Sequence, residues 1–255
     1  MHGRGKVKDR LSQRWADVLL ALALLTRLPL RARSLPDRGA SAAWAWPLAG
    51  VAVGGLSALV AALSLAAGLP ATVAAALALA AQALVTGAMH EDGLADTADG
   101  LWGGWTRERR LEIMKDSRTG SYGVAALMLV GLVRWSALAA ALESGSAVLI
   151  AAAVLSRVPM VVLMAWLPNA RGAGLSQSLG RPDGRQARLA VLVALAVALL
   201  VSGPAALILA LAAASAALAL GMVARAKIGG QTGDILGASQ QLSEAAVFVA
   251  AAALA

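Results

Sequence analysis

Repeated apolar runs restrict this chain to a fold that is embedded in a membrane. The runs at 44–67, 122–142, 146–167 and 205–224 are dominated by alanine, leucine and valine, and each approaches the roughly 20 residues with which an α-helix crosses a bilayer. Only 14% of the residues are charged, whereas about 25% is usual in soluble domains. The runs also lack the alternation of transmembrane barrel strands. The sequence therefore predicts an all-α polytopic integral membrane bundle of about six to seven transmembrane helices.

The distribution of Lys and Arg predicts the orientation of the bundle. None of the 22 falls in the turns at 68–70, 143–145 and 202–204, whereas most lie in polar loops at 31–43, 90–121, 168–188 and 225–241. Loops rich in these residues stay cytoplasmic. We therefore predict a basic cytoplasmic tail at 1–14 and one membrane-embedded domain at 15–255, whose loops at 90–121, 168–188 and 225–241 form a cytoplasmic active site. This parity requires 15–30 to be an interfacial or re-entrant helix. The last apolar run, 242–255, looks short for a full crossing.

Composition excludes several other kinds of site. The chain has no cysteine, so it forms neither a disulfide framework nor a thiolate metal centre. Its two histidines, His2 and His90, are too few for a histidine-based zinc site. The net charge is +8, but no face combines basic and aromatic residues in the way that nucleic-acid binding requires. We therefore expect no nucleic-acid partner.

The segment 90–100, HEDGLADTADG, carries the chemistry that an apolar bundle otherwise lacks. Asp92, Asp96 and Asp99 follow the spacing i, i+4, i+7, so on a helix they share one face. Like charges at that spacing repel one another, and a divalent cation would offset the repulsion. Oxygen-only ligands favour Mg²⁺ or Mn²⁺, and Mg²⁺ commonly completes its coordination with substrate phosphates. The sequence therefore predicts a metal-dependent phosphoryl-transfer site, in which His90 is either a general base or a helix cap.

Two further segments supply groups that bind phosphate. Lys115 and Arg118 precede Gly120, and these two cations suit a pyrophosphate. The segment 227–238 is rich in glycine and contains Thr232, Gly233 and Asp234, which suit a phosphate or metal contact.

Three charged residues lie inside apolar runs. Arg134 and Arg157 interrupt predicted spans, and Glu244 is a candidate polar partner in the last run. Charges within a membrane are usually paired or functional.

These residues together resemble the cobalamin synthase family, whose members are also called adenosylcobinamide-GDP ribazoletransferases. The resemblance runs the length of the chain. Its signatures lie at 25–29 (LTRLP), 46–50 (WPLAG), 90–100, 112–123 (EIMKDSRTGSYG) and 229–238 (GGQTGDILGA). Because the last three are long and occur in the right order, they are specific together.

The resemblance implies a bacterial inner-membrane enzyme that depends on Mg²⁺ and acts late in cobalamin biosynthesis. It would join adenosylcobinamide-GDP to α-ribazole or α-ribazole 5′-phosphate and release GMP. Asp92, Asp96 and Asp99 would hold the metal, and Asp234 would be a further ligand or the base. The groups expected to contact substrate phosphate are Lys115, Arg118, Gly120, Thr232 and Gly233. The bilayer and the two substrates are the expected partners, and an oligomer is compatible with all of this.

Two alternatives remain open. A CDP-alcohol phosphotransferase also places spaced aspartates at a membrane-embedded Mg²⁺ site, but its pattern has an Ala-Arg pair between the second and third Asp, and 94–100 contains no Arg. A cation-coupled transporter would instead carry its acidic residues at the bilayer midplane.

Overall fold

The computed structural model describes residues 2–30 and 37–255, and it describes side chains from Ser12 onward within those ranges. In this part of the chain every regular element is helical. The α-helices are α1 (His2–Leu25), α2 (Trp46–Ala66), α3 (Ala71–Thr86), α4 (Met89–Gly103), α5 (Arg107–Ile113), α6 (Ser121–Ala141), α7 (Val148–Leu155), α8 (Val158–Trp166), α9 (Leu175–Leu179), α10 (Gly184–Ser202), α11 (Ala205–Ile228) and α12 (Gly233–Ala252). Short 3-10 segments, Gly39–Ala45 and Leu142–Ser144, precede α2 and follow α6.

The predicted all-α membrane bundle is confirmed. Within the described residues, six helical stretches are long and apolar enough to cross a bilayer, and α3 with α4 makes a seventh if this bent pair is one span. The six are Gly39–Ala66, Ser121–Ser144, Val148–Trp166, Gly184–Ser202, Ala205–Ile228 and Gly233–Ala252. Helix α1 is not among them, and it runs without a break through the predicted tail and most of the predicted interfacial helix. The predicted loop 31–43 lies partly outside the described residues.

Small residues allow α2 to pack closely on α7. A Cβ atom on Gly50 would lie 2.5 Å from the carbonyl oxygen of Ala153, and one on Gly54 would lie 2.6 Å from that of Leu149. Since larger side chains would force the helices apart, these two glycines set the helix separation. Gly55, on the same helix, faces open space.

Helix α4 corrects the prediction of a polar loop at 90–121. Helix α3 ends at Thr86, because Gly87 and Ala88 adopt left-handed conformations (φ +67° and +55°). The chain turns there by 90° and continues as α4. Leu94 and Leu101 lie on the buried face of α4, which packs against α12 and α6. The polar sequence is therefore a helix with an apolar inner face.

Helix α12 corrects the prediction for the C-terminal part. The expected loop 225–241 is short, because α11 continues to Ile228 and α12 begins at Gly233. The last span is therefore 20 residues long and does not start at 242. Its polar residues Gln240, Gln241 and Glu244 are buried between helices. Helix α12 packs against α4, α6, α7, α8 and α11, so it lies at the centre of the bundle.

The remaining helices differ less from prediction. The span predicted at 146–167 is broken into α7 and α8 at Ser156 and Arg157. The loop predicted at 168–188 contains the short helix α9, and α10 begins at Gly184 after a capping box formed by Asp183 and Gln186.

Candidate functional site

The first turn of α12 brings Asp234 to the carboxylates of α4. The two backbones are close, since a Cβ atom on Gly237 would lie 3.3 Å from the Cα of Gly93. Asp96 experiences the negative charges of Asp234 and Asp92, and Asp234 experiences that of Asp92. Asp92 is exposed, whereas Asp96 and Asp234 are half-buried. We call Asp92, Asp96 and Asp234 the acidic cluster.

Arg171 is the cation that faces the acidic cluster. Its Nη2 donates a hydrogen bond of 2.7 Å to Oδ2 of Asp234, which also accepts one of 3.2 Å from the Thr232 hydroxyl. The Asn169 side-chain oxygen accepts hydrogen bonds from the backbone N–H groups of Arg171 (3.0 Å) and Gly172 (2.8 Å). Sequence reasoning did not single out Arg171 or Asn169. One signal for Arg171 was available in the sequence. It is a basic residue in the loop 168–188, and the charge distribution predicts that this loop lies on the same side of the membrane as the other polar loops.

A short backbone pairing joins this loop to the segment before α12. The N–H of Ala170 donates to the carbonyl of Gln231 (2.8 Å), and the N–H of Gln231 donates to the carbonyl of Pro168 (2.9 Å). Arg107 of α5 donates to the carbonyls of Ala170 (2.7 Å) and Ile228 (2.9 Å). These contacts hold Arg171 and Asp234 in register, although 62 residues separate the segments' paired positions, 169 and 231.

Thr232 and Gly233 lie at the start of α12. Thr232 is buried, and its hydroxyl accepts a hydrogen bond from the N–H of Ile235 as the helix cap. Gly233 is exposed and directly precedes Asp234. Both residues are thus adjacent to the acidic cluster, where the sequence predicted phosphate contacts.

Asp99 is directed at α6 and does not complete the acidic cluster. Its two carboxylate oxygens accept hydrogen bonds from the backbone N–H groups of Gly120 (2.6 Å) and Gly123 (2.9 Å). Gly120 caps the N-terminus of α6, so the carboxylate also opposes the positive end of the helix dipole. The spacing i, i+4, i+7 predicted that the three aspartates share one face. In the structure Asp92 and Asp96 belong to the acidic cluster, whereas Asp99 binds the start of α6.

The loop between α5 and α6 carries the two predicted phosphate-binding cations. Lys115 and Arg118 are both exposed. Arg118 forms an ion pair with Asp116 at 2.7 Å, and its guanidinium lowers the pKa of that carboxyl to about 2. Gly120, which binds Asp99, is two residues beyond Arg118 and ties the loop to α4.

His90 lies in the interior and away from the exposed side of the acidic cluster. Its side chain is buried, its Nε2 has no hydrogen-bond partner among the described residues, and the charges acting on it are those of Arg157 and Arg134. The structure therefore places the predicted base in a buried polar cluster. His90 remains a prediction as a catalytic residue, and its position does not support that role.

The buried polar cluster is centred on Arg134 of α6. Arg134 donates to Glu244 and Gln241 of α12, to Gln82 of α3 (2.9 Å), and to Glu91 of α4 (3.5 Å). The charge predicted inside a span is thus paired, with Glu244 as a partner. Nearby, Nη1 of the buried Arg157 donates to the carbonyl of Ala153 at 2.7 Å.

The acidic cluster has a donor set that suits Mg²⁺. Among the described residues no three acidic or histidine side chains form a ready-made metal site. Mg²⁺ in phosphoryl-transfer sites, however, is commonly held by one or two carboxylates together with water and substrate phosphates. Asp92, Asp96 and Asp234 supply three mutually repelling carboxylates, with Arg171 as the positive group bonded to one of them. A divalent cation would relieve that repulsion.

The fold and the acidic cluster together define a polytopic helical membrane protein with a carboxylate site where α4 meets α12. A family model described as cobalamin-5-phosphate synthase matches residues 17–252. The chain belongs to this family, as its signatures predicted.

Curated relatives agree with the family. Each of the following is called adenosylcobinamide-GDP ribazoletransferase. The protein of Bradyrhizobium diazoefficiens is 48% identical over 243 residues, which is 93% of this chain and 94% of the relative. That of Mesorhizobium japonicum is 45% identical (92% of each chain), and that of Azorhizobium caulinodans is 44% identical (94% of this chain, 96% of the relative). No solved structure gave a significant match.

Proposed function

We propose that this chain is an adenosylcobinamide-GDP ribazoletransferase, which acts late in cobalamin biosynthesis. It would join adenosylcobinamide-GDP to α-ribazole or α-ribazole 5′-phosphate and release GMP. The similarity to relatives of that name extends over more than nine-tenths of the chain. The observation that carries the proposal is the meeting of Asp92, Asp96 and Asp234 beside Arg171, because enzymes that transfer phosphoryl groups commonly combine carboxylates that hold Mg²⁺ with a basic side chain.

The proposed reaction is one displacement at phosphorus. A hydroxyl of α-ribazole attacks the phosphorus nearer to cobinamide, a new P–O bond forms, and the bond to the GMP phosphate breaks. The hydroxyl proton passes to a carboxylate, for which Asp234 is the candidate. Asp234 is half-buried and hydrogen-bonded to Arg171 and Thr232, so its orientation is set before substrate binds. GMP leaves with the electrons of the broken bond.

The cations of this chain have separate tasks in the proposal. Arg171 faces the acidic cluster and would hold a phosphate oxygen there. Lys115 and Arg118 are exposed on the loop before α6 and would bind phosphate further out, together with the N–H of Gly120. Arg118 would exchange its bond to Asp116 for one to phosphate.

Asp92 and Asp96 are the residues that would hold Mg²⁺, with Asp234 as a third candidate ligand. When bound, Mg²⁺ would polarise the diphosphate and offset negative charge on the leaving group. To bind Mg²⁺, Asp99 would have to give up the hydrogen bonds that it accepts from Gly120 and Gly123. Its present contacts favour a positioning role.

We place the site at the cytoplasmic face of the bacterial inner membrane. Arg171 bonds Asp234, Arg107 bonds the carbonyl of the neighbouring Ala170, and Lys227 bonds the carbonyl of Leu101 on α4; positive residues favour the cytoplasmic side.

The proposal is tested with the purified protein in detergent, Mg²⁺, adenosylcobinamide-GDP and α-ribazole 5′-phosphate. The joined corrinoid is detected by mass spectrometry, because GMP alone would not exclude hydrolysis. Asp92→Ala and Asp96→Ala should abolish both products while membrane insertion stays normal. The matched control is Glu108→Gln, which removes an acid that is 73% exposed on α5 and should leave turnover unchanged. Near-normal turnover in either Asp variant refutes the role of the acidic cluster, and turnover of a CDP-alcohol instead would indicate a CDP-alcohol phosphotransferase.

A further inference from the structure

A polar cavity of about 510 Å³ lies between α1, the 3-10 segment Gly39–Ala45 and the start of α10. Gln13, Arg14 and Asp17 of α1 line one side, and Arg38 and Trp44 line another. The third side is formed by α10. None of the residues of the acidic cluster lines this cavity.

The cavity carries an excess of positive charge. The buried carboxylate of Asp17 accepts hydrogen bonds from Arg38 and from Nε1 of Trp44 (2.8 Å), so it neutralises Arg38 and fixes the tryptophan. Arg14 lies over the Trp44 ring, 6.0 Å from its centroid. Within the described residues neither Arg14 nor Arg185 forms an ion pair with a carboxylate. Two cations therefore face this cavity without a counter-ion among the side chains that the structure describes.

The lining changes from polar to apolar along α10. Arg185 and Gln186 lie in its first turn, and Leu189 and Val193 follow at successive turns of the same helix. Two candidate spans, Gly39–Ala66 and Gly184–Ser202, begin at this cavity, so it lies at the level where a bilayer's headgroups meet its acyl chains. A tryptophan in that position is typical of the interface.

We propose that this cavity binds an anionic phospholipid. The headgroup phosphate lies between Arg14 and Arg185, and an acyl chain follows Leu189 and Val193 along α10. Charge complementarity selects an anionic over a zwitterionic headgroup, since juxtamembrane arginines attract anionic lipids. The apolar half of the lining favours a lipid over free phosphate, because free phosphate has no apolar group that could contact Leu189 and Val193. The bound lipid would connect α1 to α10.

The experiment is a lipid titration of the purified full-length protein in detergent, followed by native mass spectrometry. Phosphatidylglycerol and phosphatidylcholine are the two probes. The wild type should bind one phosphatidylglycerol in preference to phosphatidylcholine. The double variant Arg14→Gln/Arg185→Gln should weaken that preference roughly 25-fold, at about five-fold for each arginine. Arg14→Lys/Arg185→Lys keeps both charges and should keep most of the preference.

The matched control is Arg225→Gln, which removes an exposed arginine near the end of α11 and should leave the preference unchanged. An equal loss in this control means that binding follows overall charge, which overturns the proposal. An unchanged preference in the double variant overturns it as well. Displacement of the lipid by millimolar inorganic phosphate would show a simple anion site. If the double variant Arg14→Gln/Arg185→Gln keeps its lipid preference but has a raised KM for adenosylcobinamide-GDP, the cavity binds substrate and the lipid proposal is wrong.

Discussion

Arg134 offers the sharpest test of how the interior of the bundle is held together. From α6 its guanidinium reaches α3, α4 and α12, where its acidic partners are Glu91 and Glu244. The side chain of Glu244 is 1% exposed and that of Arg134 is 7% exposed, whereas that of Glu91 is 21% exposed. Removing the arginine therefore takes away the cation that is bonded to Glu244, a carboxylate that water hardly reaches, and leaves the more distant Arg157 as its positive neighbour.

The expected size of the effect follows from that burial. Breaking a buried pair by removing one partner costs about 3–5 kcal/mol. For a chain of this size about 1 kcal/mol lowers the unfolding midpoint by roughly 2–4 °C, so Arg134→Met should lower it by roughly 6–20 °C. Adding Glu244→Gln removes the stranded charge, so the double variant should recover a large part of the loss. Since Glu91 is partly exposed, it contributes the smaller share.

The assay is thermal unfolding of the detergent-purified variants, with turnover measured in parallel. The matched control is Arg109→Met, whose arginine is 64% exposed and pairs with Glu112 on the surface of α5. A surface pair contributes about 0–1 kcal/mol, so this control should shift the midpoint by no more than a few degrees. The reasoning is wrong if Arg134→Met and Arg109→Met have the same unfolding midpoint. It is also wrong if adding Glu244→Gln to Arg134→Met lowers the midpoint further.

Two more predictions concern the start of α6. Gly123→Ala should lower stability and turnover, because its Cβ would collide with the carboxylate of Asp99. The control Gly131→Ala lies on the same helix, meets nothing within 4 Å and should be neutral. Equal shifts of the two thermal unfolding midpoints would contradict this prediction. Arg118→Ala should raise the KM for the diphosphate substrate by the same factor throughout the range of about pH 6–9. The pKa of Asp116 is depressed to about 2 by its bond to Arg118, so the contribution of the pair is complete above about pH 4 and is lost only as pH falls toward 2. A KM ratio that changes with pH in the assay range would show that another titrating group governs Arg118.

The class of fold and several of the spans could be predicted from the sequence. Helices α2, α6 and α11 coincide with predicted apolar runs to within a few residues. Hydrophobic length is a local property, and in lipid every backbone group must bond within its own helix, so composition leaves few other structures. The family signatures at 90–100, 112–123 and 229–238 were readable for the same reason, since each is a continuous stretch of chain.

Tertiary packing set what the polar residues do. Hydropathy does not distinguish a polar side chain that faces water from one that faces a buried partner, so α4 and the first half of α12 were predicted as loops. Asp234 joins Asp92 and Asp96 because α12 packs on α4, and Asp99 turns away because the N-terminus of α6 offers it two N–H groups. Arg171 reaches Asp234 across 63 residues of sequence. Pairings of this kind depend on which helices become neighbours, and no local pattern of residues records that.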